Sequence, residues 1–144
     1  MQVDFYQLSQ SPVEAALPLL ARATLSAGQQ LLVVAADPDL HAKLSEGLWA
    51  LKDSFLAHGL AGSPDEVRQP ILLSDQVEAA NGAKFVALAD GVWREEALAF
   101  ERAMLLFDGA TVDTARGVWR SLDANEQVTR RYFAQESGKW VQKA

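Results

Sequence analysis

The chain has 144 residues, 49% of them apolar and 22% charged, with a formal net charge of −6 and no cysteine. Those values describe one globular domain (residues 1–144) with a proper core and exclude a disordered chain; they also exclude disulfides, a thiolate nucleophile and a cysteine-built zinc site. No run of about 18 apolar residues occurs, and MQVDFYQL carries no basic segment ahead of an apolar one, so a soluble, cytoplasmic protein without secretory signal or membrane contact is expected.

In chain order, VDFYQL (Val3 to Leu8) alternates and is rich in strand formers, which predicts a first strand. Ser11-Pro12 predicts a helix entry, a hydroxyl cap before a proline at the first helical position. Val13, Leu17, Leu20 and Ala21 follow helical spacing, and Gly28 ends the helix. Gln30 to Ala36 is a continuous apolar run, as in a central strand covered on both faces. Asp37, Pro38 and Asp39 cap a second helix whose apolar stripe is Leu40, Leu44, Leu48 and Leu51. Periodicity then fades from Asp53 to Gln69, a loop or short strand. Pro70 to Ser74, Phe85 to Ala89 and Ala103 to Phe107 are further strands, the last two stopping at Asp-Gly pairs. A helix over Thr111 to Leu122 follows. QVTRRYFAQ (127–135) reads as a strand, Ser137-Gly138 as a turn and KWVQK (139–143) as its hairpin partner. The pattern predicts a single-domain, three-layer α/β/α fold, Rossmann-like, with a mostly parallel sheet.

Such a fold raises the question of nucleotides, yet the turn after the first strand reads SQSPVE and no GxGxxG or GxxxxGK[ST] occurs. Gly59 and Gly62 follow no clear strand. The frame therefore lacks a phosphate-binding loop, and fold alone licenses no chemistry. His41 is expected to be solvated early on the second helix, and His58 to pack in the loop or bond a backbone group. Their spacing supplies no partners for metal binding or general-base work. Arg94 to Glu96 reads as the exposed first turn of a short helix. No catalytic residue, metal or cofactor is predicted. The alternatives are a small nucleotide-dependent enzyme with a degenerate phosphate loop, or a direct binder of single-stranded DNA.

The charge is unevenly placed. Residues 1 to 114 hold 7 Lys/Arg against 16 Asp/Glu, a balance of −9, while residues 115 to 144 hold 6 against 3, a balance of +3. Six cations set against that acidic remainder suit a short acidic peptide better than a nucleic-acid groove. On a helical wheel Val112, Ala115, Val118 and Leu122 cluster on the core side. Arg116 and Arg120 lie together elsewhere, with Trp119 between the two groups. Two readings stand: an indole and two guanidinium groups that hold an acidic, apolar peptide, or a core tryptophan beside two solvated arginines. A second apolar stretch, LWALKDSFLAHGL, contains Trp49, Phe55, Leu56 and Leu60. Its residues alone favour closure over the core, with a partner surface as the other reading.

FYQL at the start, LW followed by SFLAHGLAG, QPILLS, LFDG, ARGVWRSL and GKW run in order over essentially the whole chain. In these motifs the chain resembles the chi subunit family of bacterial DNA polymerase III, accessory proteins of the clamp-loader complex with no known catalytic activity. The resemblance implies binding to the acidic, phenylalanine-ended C-terminal tail of single-stranded DNA-binding protein. It also implies a link to the clamp loader through the psi subunit, with nucleic acid met only indirectly. The family's basic and aromatic tail helix matches Arg116, Trp119 and Arg120, and the tryptophan of the LW motif matches Trp49. The contact to psi, shared with a DNA-repair helicase in some bacteria, matches Phe55 with its neighbours Leu56 and Leu60. The family's helix can carry tyrosine and lysine where this chain has Trp119 and Arg120, and a further lysine where this chain has Val112 to Thr114.

Overall fold

The computed structural model describes residues Met1–Ala144. Eight strands run β1 Gln2–Gln7, β2 Leu31–Val34, β3 His58–Leu60, β4 Ile71–Ser74, β5 Phe85–Leu88, β6 Arg102–Phe107, β7 Thr129–Glu136 and β8 Lys139–Gln142. Three helices, α1 Val13–Ser26, α2 Pro38–Ala50 and α3 Val112–Ser121, are joined by short 3-10 turns at Glu66–Arg68, Glu95–Ala99 and Leu122–Ala124. One sheet holds all strands in the order β3-β4-β2-β5-β6-β1-β7-β8, and only β8 runs antiparallel to its neighbour.

The central strands are apolar throughout because both their faces are covered. Leu31, Val33, Ile71, Leu73, Met104 and Leu106 face α1 and α2, meeting Leu17, Leu44 and Leu48. Val3, Phe5, Leu32, Val34, Leu105 and Phe107 face the other way, toward Ala97 on its 3-10 turn and Ala115, Val118 and Leu122 at α3. The three-layer α/β fold expected from the pattern is the one observed.

Strand β1 carries one charge in its apolar run. Asp4 is fully buried and accepts from Arg102 Nε of β6 (2.7 Å), Arg131 Nε of β7 (2.9 Å) and Gln2 Nε2 (2.9 Å). One carboxylate thus ties the middle strand to both neighbours and fixes their register. Helices α1 and α2 pack closely at Gly47, where an added Cβ would stand 2.0 Å from the Glu14 carbonyl oxygen. Pro18 lies inside α1 and has no N–H to offer that carbonyl, one turn earlier. The freed carbonyl and the bare Cα of Gly47 therefore meet face to face.

Two local expectations need correction. The Ser11 hydroxyl does not cap α1; it accepts from Gln135 Nε2 (2.7 Å), and Pro12 is the cap residue instead of the first helical one. The side-chain amide of Gln135 on β7 draws the Ser9–Ser11 turn to itself, also accepting from the Ser9 and Gln10 N–H groups. His41 is only partly solvated: it is half-buried, and its Nε2 lies 2.7 Å from the Ala35 carbonyl. By contrast, Asp37 caps α2 through the Asp39 N–H (2.9 Å) with Pro38 at the helix start.

Candidate functional site

Helix α3 packs against β6, burying Ala115 and Val118 in the core of that face, and reaches Phe5 of β1 and Tyr132 of β7 through Trp119. The wheel then sets Trp119 at the boundary and Arg116 and Arg120 outside. The indole meets the Phe5 ring edge-on (centroids 5.1 Å) and the Tyr132 ring at 5.9 Å, nearly perpendicular. Tyr132 stands on β7 opposite Phe5 and donates its hydroxyl proton to Gln7 Oε1 (2.6 Å). Between these rings opens a cavity of about 210 Å³, lined by Arg116, Trp119, Arg120, Tyr132 and Ala144. Its wall is aromatic and its rim cationic.

The rim charges are nearly free. Arg116 has a side chain 60% exposed, and its nearest carboxylate is Asp113 at 3.9 Å. Arg120 is exposed and makes no ion pair. Burial pushes the Tyr132 hydroxyl above the ordinary tyrosine value, and the positive charge of Arg116 opposes that rise. The guanidinium of Arg116 therefore acts on the same space as the Tyr132 ring. Sequence reasoning missed Tyr132 and its neighbour Arg130, which stacks over the indole of Trp119 at 4.4 Å. The available signal was the alternation in TRRYF. A strand of period two puts Arg130 and Tyr132 on one face and Arg131 and Phe133 on the other.

Trp49 does not join this group. It sits at the end of α2, on the opposite face of the sheet, where its ring packs 4.5 Å from His58 and 5.7 Å from Phe55. The expectation that Trp49 and Trp119 share a site is therefore corrected: helices α2 and α3 cover different faces. Trp49 and Leu60 are half exposed and Phe55 is 79% exposed. Leu56 is buried in the core beneath them, so it anchors the loop and presents no surface, contrary to expectation. His58 fixes this loop to α2. Its Nδ1 lies 2.8 Å from the Leu56 carbonyl and its Nε2 2.7 Å from Ser45 Oγ. A cavity of about 380 Å³ lies beside Trp49, between α2 and β3, lined by His41, Ser45, His58 and Leu60.

In open α/β sheets ligands settle outside the carboxyl ends of the strands. Here that crevice, about 380 Å³, is lined by Glu14, Asp37, Asp90 and Asp108. Burial raises the Asp90 carboxyl, but hydrogen bonds from Arg94 and the Ala36 N–H outweigh it and hold the group below its usual value. Arg94, read as exposed, is thus largely covered, with only 16% of its side chain accessible. Glu14, Asp37 and Asp108 have no ion-pair partner there, so a phosphate entering the crevice meets net negative charge.

The family model described as DNA polymerase III chi subunit, HolC, matches residues 1–129, and the chain belongs to that family. Trp49, Phe55, Arg116, Trp119 and Arg120 lie inside the matched region, while Arg130, Tyr132 and the hairpin lie beyond it. No curated protein matches the chain. Membership makes it an accessory subunit of DNA polymerase III, at work in DNA replication.

Proposed function

We propose that this accessory subunit is a non-catalytic adaptor that holds the acidic C-terminal tail of single-stranded DNA-binding protein in the α3 cradle. The observation that carries the reading is the aromatic cavity between Trp119 and Tyr132 with two available guanidinium groups at its mouth. A terminal phenylalanine fills the cavity edge-on to both rings, a favoured aromatic geometry. Its α-carboxylate then stands at the rim, where Arg116 and Arg120 take it and the preceding acids by charge-assisted hydrogen bonds. Exposed ion pairs contribute only about 0–1 kcal/mol each, so a micromolar affinity that falls with salt is expected.

Fluorescence anisotropy of a labelled acidic peptide ending in phenylalanine, at low and high salt, tests this. Arg116→Ala is expected to weaken binding more than Arg120→Ala, because Arg116 stands one helical turn (i, i+3) from Trp119. Unchanged affinity in a folded Arg116→Ala, Trp119→Ala double variant sinks the assignment.

The second surface, Trp49, Phe55 and Leu60, suits the psi subunit of the clamp loader or, in competition, a DNA-repair helicase. An aromatic exposed to 79% on a loop anchored by His58 and Leu56 supports this. Enzymatic use of nucleotides is disfavoured by the carboxylate-lined crevice. Titration with ATP or NAD is expected to leave the melting temperature unchanged, and a saturable micromolar response contradicts the adaptor reading.

A further inference from the structure

We propose that Arg130 is a positioning residue of the α3 cradle, which holds the Trp119 indole in the orientation that leaves its edge open to a ligand. The inference rests on the reading of that cradle as a peptide site. Arg130 makes three contacts at once. Its guanidinium carbon stands 4.4 Å from the indole centroid, Nη1 donates to the Trp119 carbonyl (2.5 Å), and Nη2 donates to Asp123 Oδ1 (2.8 Å). The side chain is only 21% exposed, whereas Asp123 is 76% exposed.

Each contact has a separate physical effect. The carbonyl of Trp119 belongs to the last turn of α3, whose final carbonyls lack helical partners and carry the negative end of the dipole. A cation donating there closes the helix end. The planar guanidinium covers one face of the indole, a cation–π contact that fixes the ring plane. Asp123 holds the other end of the fork, so the plate cannot swing away. Phe5 supports the same ring edge-on from the core. With its face covered by Arg130, the indole meets the cavity beside Tyr132 through what remains. Arg130 is already paired, so it differs from Arg116 and Arg120: it orients the wall and does not bind the acid.

The pairing makes the two roles separable. A cation that binds the ligand directly adds to the salt dependence of affinity, whereas a positioning cation neutralised by Asp123 does not. The experiment compares wild type with Arg130→Gln (paired with Asp123→Asn), Arg130→Lys and Arg116→Gln. It uses anisotropy of a labelled acidic peptide ending in phenylalanine at several salt concentrations, together with the NMR resonance of the Trp119 indole N–H in the free protein. Arg130→Gln, made together with Asp123→Asn so that the local charge is kept, is expected to shift that resonance and raise Kd about fivefold, with the salt slope unchanged. Arg130→Lys keeps a cation without the planar fork and is expected to fall between the two. Arg116→Gln is expected to raise Kd and flatten the slope. An unshifted indole resonance in the Arg130→Gln, Asp123→Asn variant, unchanged affinity, or a slope flattened as in Arg116→Gln overturns the proposal. If wild type binds no peptide, the tail reading fails, and the proton–proton nuclear Overhauser contacts of the indole with the Phe5 and Tyr132 rings, kept or lost in the variant, still decide whether Arg130 holds the ring.

Discussion

Asp4 has no solvent contact, yet its two arginine partners remain about a third exposed, at 29% and 34% of their side chains. The buried acid bears most of the desolvation, and the bonds from Arg102, Arg131 and Gln2 compensate it. Arg131 is held above its ordinary pKa chiefly by that hydrogen bond to Asp4. Replacing Asp4 with alanine leaves two guanidinium groups facing each other across β1 without a counter-charge. Fully buried pairs cost about 3–5 kcal/mol when broken. Since both arginines can turn toward water, about 2 kcal/mol is expected for Asp4→Ala. Urea unfolding measures it, and a change below about 0.5 kcal/mol shows that the cluster only decorates the sheet.

At the scale of elements, the α1–α2 contact sets two effects of opposite sign against each other at Gly47. Helix propensity alone favours Gly47→Ala by about 1 kcal/mol. The added methyl, however, would stand 2.0 Å from a backbone carbonyl that cannot rotate aside. Overpacking of this kind costs typically 1–3 kcal/mol, and here the obstacle is main chain, so a net loss of stability is expected. A thermal melt that rises in Gly47→Ala shows that α2 slides at little cost. The sequence made most elements readable, because apolar runs bounded by Asp-Gly or Pro mark strands and the spacing of Leu40, Leu44 and Leu48 marks α2. Strand β3 was barely visible in its three residues. Strand order was not readable at all, since it depends on pairings between residues as distant as Asp4 and Arg131. The expectation that Trp49 stands near Trp119 comes from the family resemblance, and periodicity could not check it: it says that a side chain leaves its own helix toward the core, but not which face of the sheet that helix covers.

For the whole molecule, the place of Trp49 on the α2 side separates the two proposed binding surfaces. The cradle at Trp119 rests on β1 and β7 on one face, and the Phe55 surface stands beside β3 on the other. Six strand spacings separate β3 from β7 in the sheet, about 29 Å at ~4.8 Å each. Electrostatic influence over that distance is screened at physiological salt, where the Debye length is about 8 Å. No shared side chain links the two surfaces, so neither ligand touches a group that the other would move. The two partners are therefore expected to bind independently. Phe55→Ala is expected to leave the acidic peptide's Kd within about twofold of wild type, the additivity of distant sites, and to unfold at the wild-type temperature. It is also expected to weaken psi or helicase binding by roughly 2 kcal/mol, the loss of an aromatic interface anchor. Saturating the Phe55 surface with its partner before titrating the labelled peptide is the sharper test. A ternary complex with unaltered peptide affinity fits an adaptor that joins two bodies through opposite faces, whereas mutual exclusion or a fivefold change in Kd places both partners on one surface.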